Sequence, residues 1–186
     1  MNSQVMPAYE AESPVGMLDG IEDPVSGLIG RIGFEERARG RLGMHLHAAS
    51  ALTLIEIDHL DAARALYGGN CADMMIRGVA QLLLNEVRGH DVVGRIDDCS
   101  FAILHTDIDL GAVRAVGQRL RLAVQSMRFF AEDGSSIPVT VSIGIDGILR
   151  GGRQAPDLQA VLARAADRLA EARKAGRNRV VAPDIC

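Results

Sequence analysis

Apolar positions along the chain fall into two periods, and each change of period marks an element. Phe34, Ala38, Leu42, His45 and Leu46 recur at helical spacing, which predicts a helix over 34–47. Residues 51–58, Ala-Leu-Thr-Leu-Ile-Glu-Ile-Asp, are almost continuously apolar, as in a strand covered on both faces. Met74, Met75, Val79, Leu82, Leu83 and Val87 then form the buried stripe of a helix over 71–87. Short strands at 91–96 and 100–105 flank Asp97-Asp98 and predict a hairpin. Val113, Val116, Leu120 and Val124 lie on one side of a helix over 109–127. A strand over 137–145 with Pro138 near its start, a helix over 157–175 and a closing strand over 178–182 complete the series.

Helices interleaved with a hairpin predict an α/β fold, an α+β sandwich with one central mixed sheet flanked by helices. The expected core is Leu54, Ile57, Leu82, Leu83, Val93, Phe101, Ile103, Leu120, Val141, Ile143 and Leu162. The chain has 186 residues, enough for one domain and a short extension. Residues 1–20 lack basic side chains, carry Glu10, Glu12 and Asp19, and include Pro7 and Pro14. They are expected to be a flexible acidic tail, with a single domain over 21–183.

Charge and chemistry narrow the function. With 20 basic against 24 acidic residues the net charge is −4, which disfavours a partner held by phosphate attraction, so no nucleic acid is expected. Aromatic residues make up 3% of the chain and Trp is absent, which disfavours base-stacking platforms. No apolar run has the length of a membrane span, and Met1 to Glu12 has no signal-peptide pattern. Cys71, Cys99 and Cys186 are dispersed and form no CxxC pair, which fits a reducing, cytoplasmic setting. His45, His47, His59, His90 and His105 have no metal-ligand spacing, so no metal site is expected from them.

Five fragments in order resemble one family. Asp23-Pro-Val-Ser-Gly-Leu-Ile-Gly-Arg31 is similar to D-x-L-T-G-L-x-N-R, and Leu54-Ile-Glu-Ile-Asp-His-Leu60 to L-x-D-I-D-x-F. Tyr67-Gly68 with Ala72-Asp73 is similar to Y-G-x-x-x-G-D, and Val139-Thr-Val-Ser-Ile-Gly144 to V-T-x-S-I-G. Ala166-Asp167 with Ala172-Arg-Lys-Ala-Gly-Arg-Asn178 is similar to A-D-x-A-L-Y-x-A-K-x-x-G-R-N. These resemble GGDEF domains, the diguanylate cyclases. The resemblance implies the fold of nucleotidyl cyclases and polymerase palms.

The naming motif departs from the family. Asp97-Asp98-Cys99-Ser100-Phe101 stands where G-G-[DE]-E-F is expected. In the family the glycines let the backbone approach GTP, and the third position is a metal-binding carboxylate. Two Asp side chains would repel phosphates, and a thiol is a poor ligand for a hard cation such as Mg²⁺. By the same resemblance Glu56 replaces the metal-binding Asp of the first strand, while Asp58 remains, with capping of the next helix as its structural alternative. Arg64 stands at the guanine-binding Asn, and Asp61 reverses a phosphate-proximal Lys. Asp73 and Arg173 keep the guanine-contacting acid and a phosphate-facing cation. No catalytic residue, cofactor or Mg²⁺ is therefore expected, and the chain is expected not to be an enzyme.

Many GGDEF domains carry R-x-x-D ending five residues before the motif, an inhibitory site for the product cyclic di-GMP. Arg88-Gly-His-Asp91 has that spacing. Arg donates bidentately to guanine O6 and N7 or to phosphate, and Asp accepts from N1–H and N2–H₂. The pattern recurs at Arg95–Asp98 and Arg164–Asp167, so position alone gives the first its meaning. By the same resemblance, Arg119 on the following helix is the candidate for the further arginine that often completes this site from a partner domain, with Arg121 an alternative. Three readings follow: a catalytically inactive cyclic di-GMP receptor acting as a homodimer on an unknown effector protein, a protein interaction module with no nucleotide ligand, or a GTP-sensing or residual cyclase. Arg88 and Asp91 favour the first.

Overall fold

Strand β1 (Ser50–Ile57) organises the molecule because its two faces are both apolar. The structure, a computed structural model, describes residues 22–44, 49–148 and 157–184. The tail expected over 1–20 lies outside the described residues, as do His45, His47 and Cys186. Leu52 and Leu54 of β1 pack on one side of the sheet against α1 (Arg31–Met44) and α5 (Leu158–Lys174). Ala51, Ile55 and Ile57 pack on the other side against α3 (Gly69–Glu86) and α4 (Leu110–Ser126). The alternation follows from the two-residue period of a strand. Two apolar layers thus enclose one mixed five-stranded sheet, as the periodicity predicted.

The sheet order is β2 (Val92–Arg95), β3 (Ser100–Thr106), β1, β6 (Val141–Ile148), β7 (Val180–Val181). Each of the first four strands is antiparallel to its neighbours, and β7 pairs with β6 in parallel. Gly144 sits where α5 crosses β6. A Cβ there would lie 2.3 Å from the Ala165 carbonyl oxygen and 2.4 Å from the Leu169 nitrogen, so only glycine permits this approach. Asp109 and Asp157 cap α4 and α5, accepting from the Ala112 and Gln159 backbone N–H groups.

Nine of the eleven expected core residues are buried, while Leu82 and Leu162 are half-buried at the edges of the two layers. Three elements differ from expectation. Leu60–Tyr67 forms its own short helix, α2, before α3. The strand expected over 137–145 is two pieces: Ser136–Ile137 (β5) pairs with Phe129–Phe130 (β4), and β6 starts only at Val141. Pro138 has no N–H to donate, which fits the break between them. The closing strand is two residues long.

Candidate functional site

The residues singled out by sequence lie at two ends of the sheet. One end is the cleft beside the hairpin turn. Arg31, Glu56, Asp97, Ser100, Gln159 and Arg173 line a cavity of about 400 Å³ between β1, the turn and α5. Glu56 points to the α5 side, as its parity with Leu52 and Leu54 requires, and Arg173 donates to both of its carboxylate oxygens at 3.0 and 3.4 Å. Arg173 therefore turns inward on Glu56. Asp58 is buried and accepts from Thr140 Oγ1 at 2.7 Å, Ser142 Oγ at 2.7 Å and the Asn178 backbone N–H at 3.1 Å. It does not cap α2, whose N-cap is His59 in a left-handed conformation with no side-chain cap bond. Asp58 instead ties β1 to β6 and to the turn before β7.

The turn itself is built without glycine. Asp97, Asp98 and Cys99 all keep negative φ. Arg95 is 7% exposed and reaches back under the turn, donating to the Asp97 and Asp98 carbonyls at 3.2 and 2.7 Å. The same guanidinium grips both oxygens of Asp23 at 2.8 and 2.9 Å. Arg31 adds a bond to the Ile96 carbonyl at 3.2 Å. Burial opposes the ionisation of Asp23, but Arg95 and the Ser26 hydrogen bonds outweigh it and hold the carboxyl below its ordinary pKa. Arg95 thus clamps the lead-in segment to the hairpin.

These groups do not fit a divalent metal. Glu56 is engaged by Arg173 and Asp58 by three donors, so neither presents a free carboxylate. Cys99 accepts no substitute role as a thiolate. Burial pushes its thiol up, and although the Ser100 hydroxyl opposes this, Asp97 and Glu56 push it up further. Among the described residues no group of three or more His, Cys, Asp or Glu could hold a metal ion. Arg64 Nη1 lies 3.8 Å from Asp73 Oδ1, so the acid expected to contact guanine faces a cation of its own chain. Asp61 lies in the first turn of α2, where an acid suits the helix dipole.

The other end is a cavity of about 760 Å³ between α1, the end of α3 and the start of β2. Arg37 and Arg41 of α1 line it together with Arg88 and Asp91. Among the described residues none of these three guanidinium groups has a hydrogen-bond or ion-pair partner. Met44, 70% exposed, and Leu84, 47% exposed, supply an apolar wall. Asp91 is held from behind: its Oδ2 accepts from the Arg88 backbone N–H at 3.1 Å and lies 3.3 Å from His105 Nδ1. Its Oδ1 is buried with no hydrogen-bond partner. Burial raises the Asp91 pKa, but the His105 hydrogen bond and charge, the Arg88 N–H and His90 more than offset this, and the carboxyl titrates below its ordinary value.

Arg88 and Asp91 line one cavity, and Arg119, expected to complete the site from a partner domain, does not line the cavity of its own chain. It donates to Glu86 Oε2 at 2.6 Å and to the Glu86 carbonyl at 3.0 Å. Arg121 is likewise engaged, with Gln118, Gln125 and Asn178. The further arginines of the cavity are Arg37 and Arg41, which sequence reasoning missed. Their signal was an i, i+4 arginine pair beside the Phe34, Ala38, Leu42 stripe.

Comparison with known proteins matches this architecture. Over 164 residues the chain is 25% identical to the probable diguanylate cyclase DgcT of Escherichia coli K12, covering 88% of this chain and 36% of DgcT. It is 26% identical over 161 residues to the protein YhcK of Bacillus subtilis 168, covering 85% of this chain and 44% of YhcK. The chain thus spans less than half the length of these relatives. The coiled coil and GGDEF domain of DgcB from Caulobacter crescentus, solved in complex with cyclic di-GMP, superposes with a TM-score of 0.82 at 22% identity, covering 89% of this chain and 86% of that one. The FimX GGDEF domain of Pseudomonas aeruginosa superposes with a TM-score of 0.77 at 24% identity, covering 88% and 99%. The profile described as diguanylate cyclase, GGDEF domain, matches residues 21–179, and the chain belongs to that family.

Proposed function

We propose that this domain is a catalytically inactive GGDEF module that binds cyclic di-GMP in the cavity lined by Arg37, Arg41, Arg88 and Asp91. The observation that carries the reading is the set of three guanidinium groups, without partners among the described residues, around one cavity with an apolar wall. A cyclic dinucleotide offers two phosphates and two guanine edges to such donors, and planar bases suit the Met44 and Leu84 side chains. DgcB, a member of the same family, is a cyclic di-GMP complex.

Loss of cyclase activity is the second half of the proposal. Joining two GTP molecules needs carboxylates free for metal ions. Here Glu56 faces Arg173 and Asp58 is filled by Thr140, Ser142 and Asn178. With GTP and Mg²⁺ or Mn²⁺ the protein should make no cyclic di-GMP above blank. The combined variant Asp97→Gly, Asp98→Gly, Cys99→Asp, Ser100→Glu should stay inactive as well, because Asp61 and Arg64 also occupy substrate positions. Protein-dependent turnover by the unmodified chain would overturn this half. Calorimetry with cyclic di-GMP and GTP tests the other: heat with cyclic di-GMP alone supports the receptor reading, and no heat with either at high micromolar ligand leaves an interaction module.

A further inference from the structure

Asp91 is connected inward to the sheet as well as outward to the cavity. His105 is 1% exposed and stands on β3 directly opposite Ala51 of β1. Its Nδ1 lies 3.3 Å from Asp91 Oδ2, and its Nε2 lies 3.2 Å from Oγ1 of the fully buried Thr53. An ionised carboxylate only accepts, so Nδ1 carries the hydrogen; in the neutral imidazole, Nε2 is then left to accept the Thr53 hydroxyl proton. The row Asp91–His105–Thr53 thus runs from the chain just before β2, through β3, to β1.

A buried imidazole bonded at both nitrogens cannot rotate without losing one bond or the other, and a buried polar group left unpaired is costly. Its position therefore fixes Oδ2 of Asp91, already held by the Arg88 N–H on the same oxygen. Oδ1 is the oxygen with no hydrogen-bond partner, and His90 Nε2 is 3.8 Å from it. We propose that His105 is a positioning residue for the Arg88–Asp91 site, holding Asp91 Oδ2 in place as the acceptor of the Arg88 N–H and so fixing the segment that carries the Arg88 guanidinium beside the cavity. This rests on the reading of the cavity as a cyclic di-GMP site. It also changes the expected contact: Oδ2 is bonded within the chain and Oδ1 is buried, so the arginines rather than the carboxylate supply the ligand contacts.

The experiment has two readouts on the same proteins: wild type, His105→Leu, His105→Asn and Thr53→Val. The first is the carboxyl ¹³C titration of Asp91 by NMR without ligand. The groups facing Asp91 are His90, His105 and Arg88, with Arg37 and Arg41 lining the same cavity. In His105→Leu the burial remains and the donor is gone, so the Asp91 midpoint should rise. In His105→Asn the amide can donate from near the Nδ1 position, and the midpoint should return towards wild type. Thr53→Val removes the far anchor and should raise the midpoint by less, which keeps the test open if His105→Leu does not fold.

The second readout is affinity for cyclic di-GMP. His105→Leu should weaken binding by about tenfold, the loss expected for one misplaced hydrogen bond to a charged group. His105→Asn should recover most of it. An Asp91 midpoint unchanged in His105→Leu and Thr53→Val overturns the positioning role whether or not ligand binds. A shifted midpoint with unchanged affinity also overturns it, since Asp91 would then be displaced without consequence for the ligand. A midpoint that shifts in the variants, together with a wild type that binds no cyclic di-GMP, keeps the hold of His105 on Asp91 and overturns the receptor reading instead.

Discussion

The two ends of the sheet use the same residue types in opposite ways. At the cleft, arginines and carboxylates satisfy each other: Arg173 with Glu56, Arg95 with Asp23, Arg64 facing Asp73. At the α1 cavity, Arg37, Arg41 and Arg88 have no partners among the described residues, and the Asp91 carboxylate has its own partners behind it. Composition does not distinguish the ends, because both are rich in Arg and Asp. Pairing does. A guanidinium already bonded to its own chain gives little to a ligand, because a new contact only replaces an old one. Free guanidinium groups around a cavity have that interaction still to make.

The largest effect should come from breaking the closed end. Arg95→Ala removes the clamp between Asp23 and the hairpin turn and leaves a partly buried carboxylate and two carbonyls without their donor. Breaking a buried pair in this way costs about 3–5 kcal/mol, read by denaturant unfolding. A loss below about 1 kcal/mol would show that the pair behaves as an exposed one. The Arg95–Asp98 recurrence of the pattern cannot serve as a control for Arg88, because Arg95 is buried and bonded to the turn. Gly144→Ala should come next, at about 3 kcal/mol, because its Cβ meets the backbone of α5. It should also displace Arg173 from Glu56.

Much of this contrast was hidden from the sequence for physical reasons. Long apolar periods made the sheet and α3, α4 and α5 legible, because burial on a fixed face leaves a repeat. Elements α2, β4 and β5 were not, being eight residues or two residues long, too short to show a period. The Arg88–Asp91 pair was legible from its spacing to the turn. Arg37 and Arg41 were not, because what makes them cavity residues is the docking of α1 beside β2 and the end of α3. Neither was the occupation of Asp58, whose partners Thr140, Ser142 and Asn178 are 82 to 120 residues away in the chain. His105 looked like one of several dispersed histidines, and only the pairing of β3 with β1 and its approach to Asp91 reveal its role.

Smaller effects sharpen the comparison. Arg119→Ala should change cyclic di-GMP affinity by less than about threefold, since its guanidinium is bonded to Glu86 outside the cavity and an exposed pair is worth about 0–1 kcal/mol. A tenfold loss would return Arg119 to the site and place the ligand towards α4. Acid stability gives the gentlest contrast. The folded pKa values of Asp23 and Asp91 both lie below the ordinary 3.8. The unfolded chain therefore takes up their protons first as pH falls. Their contribution is complete above 3.8 and is lost as pH drops through the depressed folded values. Asp91→Asn should make the acid-unfolding curve shallower below that pH, and an unchanged curve would mean that Asp91 titrates alike in both states.

The most direct test of the central claim is to titrate cyclic di-GMP by calorimetry into wild type, Arg88→Ala and Arg173→Ala. A hydrogen bond to a charged group is worth about 1.5–3 kcal/mol, so Arg88→Ala should weaken binding by about 10- to 150-fold. Arg173→Ala should leave the affinity within about twofold, because Arg173 serves Glu56 at the other end of the sheet. The reverse result, with Arg88→Ala matching wild type and Arg173→Ala losing the ligand, would place binding in the cleft and contradict the account.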